Sequence, residues 1–510
     1  MSDVKNGDSN VNINNAAFDF RSDTVTTPTP SMLAALTVGI DRYEGNTAGT
    51  TTTSSHSTSN SASTSASASA SASSLPSTSP VVFGDDVYGE DTSTAALEQR
   101  IASLAGHEAG LLMLSGTVAN QIALRTHLSL NRPLKEPGKA GKEEEHDGHE
   151  ASNTGRSEGT TVRGPPYSIL CDARAHILTS EAGGASALSG AMVQGVMPRN
   201  ERYLTLAEDV IPNAIVSTPS PVGAKSSHDE TNTTEPYSNY NDIDIHATPT
   251  ALVALENTLH GMIYPLEEMR KVANWTRSKG IALHLDGARL WEAAAAASHH
   301  QDNNTNMNEK DADNDTITTT NTTTLHALKS YASLADSTSL CLSKGLCAPI
   351  GTVLVGSNRF IRHARRIRKM LGGGVRMAGL VAVPARVALE EVFMGSGSAS
   401  VSASVSAGST LRSTHATVKK LAARWTGLGF RLRHPAETNQ LWLDLASARI
   451  SEERMQGYLA EAGIRGGAGG GRFVVHAQIC GEAVRRLEGV MGRCFEEGRG
   501  TGATEGRKGK

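Results

Sequence analysis

Short, continuously apolar runs recur along the chain between longer stretches of helical period. The runs lie at Leu111–Leu114, Ser168–Cys171, Ala251–Leu255, Ile281–Leu285, Ser339–Leu342 and Thr352–Val355. Several show no apolar–polar alternation, as expected of strands covered on both faces. Helical patterns occupy Thr94–Ala105, Val118–Leu128, Pro265–Lys279 and Arg359–Leu371. Strands alternating with helices predict an α/β fold, a mostly parallel sheet with helices on both sides. In such sheets ligands gather at the carboxyl ends of the strands.

Composition breaks this pattern in several places. Residues of about 46–80 are almost wholly Ser, Thr and Ala, and about 134–163 are charged and Gly-rich. About 217–247 and 298–324 are rich in Asn, Asp, Thr and Ser, and about 395–412 form another Ser/Ala run. Such stretches bury too little apolar surface to offset ordering entropy, so they read as surface insertions. They account for an aromatic content of only 4% and an apolar content of 38%. His146 and His149 in "EHDGHE" lie in one of these runs and read as solvated loop, so no metal site is expected.

The net charge of −4 gives no footprint for nucleic acid or an anionic membrane. Five cysteines without a C-x-x-C pair suit free thiols in a reduced compartment. No apolar run reaches 18 residues, and "MSDVKNGDSN" carries no secretory signal. A cytoplasmic protein is the expectation.

The distinctive residues fall at predicted strand ends. In "STSLCLSKGLCAPIGTVLVG" a buried strand runs into Lys344. A lysine there is costly unless paired or used, and a free amine can form an imine; a lysine snorkelling to the surface is the plain alternative. In "IALHLDGARLWEA" a strand ends in Asp286, which reads either as a helix N-cap or as the carboxylate that keeps a pyridine nitrogen protonated. In "LLMLSGTVANQIALRTHL" a strand leads through Gly116 and Thr117 into a helix, whose N-terminus suits a phosphate. Each signal is weak alone. Together they complete a site for pyridoxal 5′-phosphate (PLP).

Six segments in order resemble the L-threonine/allo-threonine aldolases: "FDFRSDTVTTPTPSMLAAL", "GDDVYGEDTSTAALEQRIASLAGHEAGLLMLSGTVANQIAL", "LENTLHGMIYPLEEM", "LHLDGARLWEA", "DSTSLCLSKGLCAPIGTVLVGS" and "RKMLGGGVRMAGL". The resemblance implies a PLP enzyme of the aspartate-aminotransferase fold (fold type I), generally tetrameric. The implied layout is a tail at 1–17, a large domain over 18–357, a linking helix and small C-terminal α+β domain over 358–495, and a tail at 496–510.

The resemblance also implies roles. Lys344 would carry the imine and Asp286 would hold the pyridine nitrogen. Gly116 and Thr117 would bind phosphate, helped by Arg376 from a neighbouring subunit. His176 of "ARAHILTSEAGG" would stack on the ring and serve in proton transfer. Ser22, Arg289 and Arg472 would grip the substrate carboxylate, a task for which planar guanidinium is suited. Tyr88 would sit at the subunit boundary beside a second active site. Plainer readings stand beside some of these: interface packing for Tyr88, a surface arginine for Arg472, a core histidine for His476, and a solvated or interface helix for Arg359–Lys369.

Three departures from the family pattern matter. Leu259 stands where members often carry His, with His260 one place later; Cys347 replaces a Gly; Met377 replaces a Gln. The expected reaction cleaves threonine or allo-threonine to glycine and acetaldehyde. A β-eliminating lyase on the same fold and a non-catalytic homologue with interaction arms are the alternatives.

Overall fold

The structure, a computed structural model, describes residues 16–37, 81–130, 166–216, 246–302, 314–395 and 407–505. Most of the predicted insertions and tails, with His146 and His149, lie outside the described residues. Parts of several are helical: helices cover Leu290–Asp302 and Asn314–Ala332, within and beyond the stretch read as an insertion near 298–324. The helix Ser409–Gly427 begins inside the run near 395–412, and Gly481–Glu505 runs into the stretch read as a tail at 496–510.

Seven strands form the main sheet: β1 (Ala109–Met113), β2 (Ser168–Asp172), β3 (Met192–Val196), β4 (Thr250–Glu256), β5 (Ala282–Asp286), β6 (Ser337–Cys341) and β7 (Thr352–Gly356). Their order is β1-β7-β6-β5-β4-β2-β3, parallel except for β7, which runs antiparallel to both neighbours. Strands β2, β5, β6 and β7 are buried at every position, which is why short apolar runs without solvent-facing alternation mark them. The edge strand β3, half exposed with the sequence MVQGV, gives no such run and is missed by the pattern. A second sheet pairs β8 (Gln440–Trp442) with β9 (Arg472–Val474).

Helix α1 (Thr92–Ala105) begins at Asp91, whose side chain accepts from the Thr94 amide, and ends at Gly106 in a left-handed conformation. Helix α2 (Gly116–Ser129) begins at Ser115, whose hydroxyl accepts from the Val118 amide. The four predicted helices are all present, shifted by one or two residues at their ends.

The large core joins the sheet to its covering helices through residues such as Val253, Leu283, Leu285, Leu340 and Trp291. A separate core around Trp425, Phe473 and Leu487 forms the small C-terminal unit. Phe20 is buried in that second core, with backbone hydrogen bonds to Arg465 and Val474. The amino-terminal segment is thereby tied to the small unit, and its next residues, Ser22 and Asp23, are delivered to the ends of the main strands.

Candidate active site

Asp286 closes β5 in register with Glu256 on β4 and Ser339 on β6. It is 5% exposed, and its charge is met by three donors: Asn120 Nδ2 at 2.7 Å, the Ala288 amide at 3.0 Å and Ser339 Oγ at 3.5 Å. Asn120, one turn into α2, also donates to Glu181 Oε1 (2.9 Å) and accepts from Ser339 Oγ. Glu181 Oε1 then meets His176 Nδ1 at 2.8 Å, and Gln121 donates to the other oxygen. The hydrogen bond to Glu181 raises the proton affinity of His176.

Ligand-type atoms of His176, Glu181 and Asp286 all lie within 4.8 Å of one another. The Asn120 amide donates to both carboxylates, so their lone pairs serve a hydrogen-bond chain rather than a cation.

A cavity of about 370 Å³ opens at these strand ends, lined by Ser22, Arg174, His176, Glu256, Leu259, His260, Arg289, Lys344, Gln440, Trp442 and Arg472, among others. Of the residues singled out in the sequence, Lys344, His176, Ser22, Arg289 and Arg472 are thus brought together. Lys344 leaves the end of β6, and both Lys344 and Asp286 act electrostatically on Glu256.

Arg289 and Arg472, both at the cavity, differ. Arg289 forms a two-pronged ion pair with the fully buried Asp23 (2.8 and 2.9 Å). Burial opposes ionisation of Asp23, yet the Arg289 guanidinium holds its carboxyl well below the usual range. Arg472 bonds only neutral acceptors, the Arg21 carbonyl (3.0 Å) and Gln440 Oε1 (3.4 Å), and lies 5.7 Å over the Trp442 ring. Burial and the nearby Arg289 lower it to about 10. It forms no ion pair among the described residues, and the Asp23 carboxylate acts on it only electrostatically.

Gly116 and Thr117 open α2 beside the sheet edge, where a Cβ on Gly116 would meet nothing closer than Thr352 Oγ1 at 3.9 Å. That hydroxyl is buried and unpartnered. A small cradle of amides and one orphaned hydroxyl fits a phosphate, Asp286 fits a pyridine nitrogen, and Lys344 supplies the amine, so these residues fit PLP. Tyr88 and Arg376 do not line the cavity. Tyr88 is 75% exposed, with the Arg376 guanidinium 6.0 Å from its ring and bonded to Asp85.

The departures have structural consequences. Leu259 lines the cavity, and His260 follows at φ 54° with its ring 4.9 Å from both Trp442 and His434. Burial and nearby cations lower His260 to about 4. Cys347 adopts φ 63°, the left-handed backbone that glycine takes at no steric cost. Met377 is 57% exposed. His476 is buried and bonds the Asp19 carbonyl through Nε2, as a core histidine would. In the basic helix α3 (Asn358–Met370), Arg365 and Arg368 are paired with Asp86 and Glu98.

Sequence reasoning missed Asp23, Asn120, Glu181 and Glu256. Asn120 and Glu181 stand three residues after Thr117 and five after His176, inside quoted motifs, but nothing local says that their side chains converge.

The fold and the strand-end site define an enzyme of the aspartate-aminotransferase type. The family profile described as "Beta-eliminating lyase" matches residues 68–138 and 146–448. The chain is 36% identical to the aldolase vrtJ of Penicillium aethiopicum, over 93% of this chain and 86% of that one. It is 33% identical to the low specificity L-threonine aldolase of Saccharomyces cerevisiae, over 94% and 87%. The threonine aldolase of Leishmania major superposes with a TM-score of 0.52 at 17% identity, over 94% of this chain and 99% of that one, a likeness of fold. The chain belongs to the β-eliminating lyase family, in its threonine-aldolase group.

Proposed function

We propose that this chain is a PLP-dependent carbon–carbon lyase that cleaves L-threonine, L-allo-threonine and related β-hydroxy-α-amino acids to glycine and an aldehyde. The observation that carries the reading is one cavity holding Lys344 and an Arg472 that forms no ion pair among the described residues, backed by the Asp286–Asn120–Glu181–His176 chain. The threonine-aldolase relatives support the substrate class.

Lys344 would hold the cofactor covalently, Asp286 would keep its ring nitrogen protonated, and Gly116, Thr117 and Thr352 would take the phosphate. When bound, PLP supplies an electron sink for the pair left on Cα. The protein's own groups do the remainder. Arg472 binds the substrate carboxylate, joined by Ser22 and by the part of Arg289 not committed to Asp23. His176, fixed through Nδ1 by Glu181, presents Nε2 for stacking and proton transfer. The pinned carboxylates keep this geometry without reorganisation during reaction.

Tyr88 and Arg376, exposed and outside their own cavity, support a homotetramer, or at least a homodimer, in which they face a neighbour's site. Five free cysteines support a cytoplasmic location. Among the described residues no helix is long and apolar enough to cross a membrane.

The test is glycine release from L-threonine and L-allo-threonine measured side by side, with Lys344→Ala as control. The reading requires glycine from at least one substrate and a loss of several orders of magnitude in the variant. Pyruvate and ammonia from serine without glycine from threonine would instead mark a β-eliminating lyase.

A further inference from the structure

We propose that Glu256 is the base that takes the proton from the substrate's β-hydroxyl, a role that rests on the cleavage reaction read above. Glu256 ends β4 directly beside Asp286 and lines the cavity with Lys344. Its Oε2 is pinned by the His176 amide at 2.9 Å. Its Oε1 has no protein partner among the described residues and is not sealed from solvent. The carboxylate is therefore oriented by one oxygen and available through the other.

The imidazoles at the cavity are less suited. His176 shares its Nδ1 proton with Glu181, and that contact favours its protonated form, which cannot accept a second proton. His260 packs against His434 and Trp442, its Nδ1 is enclosed, and at about 4 it holds a proton too weakly near neutrality. Glu256 lies between these extremes. Burial and the Asp286 charge push it up to about 7, against the pull of His176 and Lys344. Arg289, after β5, and the Cys171 thiol on β2 also act on it. A base is most effective when its proton affinity matches the working pH.

The step balances. The hydroxyl proton moves to Oε1, and the O–H electron pair becomes the carbonyl π bond of the aldehyde. The Cα–Cβ bond breaks with its pair left on Cα, for which bound PLP would supply the electron sink, and one proton delivered to Cα to give glycine balances the one taken by Glu256.

The experiment uses the full chain loaded with PLP and compares the parent with Glu256→Gln. Three quantities are read: kcat/KM for threonine against pH, exchange of the glycine α-proton in D₂O, and visible cofactor absorbance. Because Glu256 must be ionised to act, parental kcat/KM falls as pH drops through about 7. In Glu256→Gln cleavage falls about 10²–10⁴-fold and that acid limb disappears. Glycine exchange, which involves no β-hydroxyl, and absorbance stay near parental. Glu256→Asp, which keeps a carboxylate, retains the limb and covers the case in which the amide variant does not fold. Parental cleavage by Glu256→Gln, or loss of exchange together with cleavage, overturns the proposal. A parent that exchanges glycine but cleaves no β-hydroxy-amino acid overturns the aldolase reading itself.

Discussion

The buried wall of hydrogen-bonded groups behind the cavity and the exposed rim that lies outside it are built on opposite terms. On the wall, Asp286, Asn120, Glu181 and His284 are buried, and each passes hydrogen bonds to the next. On the rim, Tyr88 and Arg376 are exposed and Leu114 is 47% exposed, while the buried Thr352 Oγ1 beside Gly116 is unpartnered. A wall whose charges are satisfied within one chain is rigid before any ligand arrives. A rim of exposed side chains with one buried, unpartnered hydroxyl is organised for something supplied from outside, a phosphate and a neighbouring subunit in the reading above. The two halves of one site thus differ in who completes them.

The largest effect should come from breaking the wall at its hub. Asn120→Ala removes one hydrogen bond each from Asp286, Glu181 and Ser339, and removing partners from buried polar groups costs about 3 kcal/mol in total. Thermal unfolding of the cofactor-free protein should show this loss, whereas a neutral result would mean that water replaces the amide. Next, Arg472→Ala removes a charge that forms no ion pair among the described residues. Hydrogen bonds to a charged group are worth about 1.5–3 kcal/mol, so KM for threonine should rise about 10- to 100-fold with a smaller change in kcat. An unchanged KM would shift the carboxylate to Arg289. The smallest effect is at Cys347. Replacing it by Gly relieves a left-handed backbone and should stabilise the fold by about 1 kcal/mol in the same unfolding assay, less a small loss of packing.

The same division governs what can be read from the sequence. The wall's strands are legible because full burial leaves apolar runs, and Lys344 and Asp286 because they interrupt those runs at their ends. The left-handed Cys347 is legible through the Gly expected in its place. Asn120 and Glu181 are not, since a helical Asn and a loop Glu look like solvated positions until two distant segments meet. Asp23 is hidden for the same reason: its partner Arg289 is 266 residues away. Strand β3 escapes because an edge strand needs no continuous apolar run. On the rim, Arg376 is anticipated by resemblance, and within one chain its guanidinium pairs with Asp85.

The central claim is that Lys344 and the Asp286 wall face one pyridine-sized cofactor. Borohydride reduction of the PLP-loaded protein, followed by peptide mass spectrometry, tests it directly by fixing the cofactor to whichever amine holds it. The account predicts one pyridoxyl adduct, on Lys344, at a stoichiometry near one per chain. An adduct concentrated on a surface lysine such as Lys271, or none at all, would contradict it.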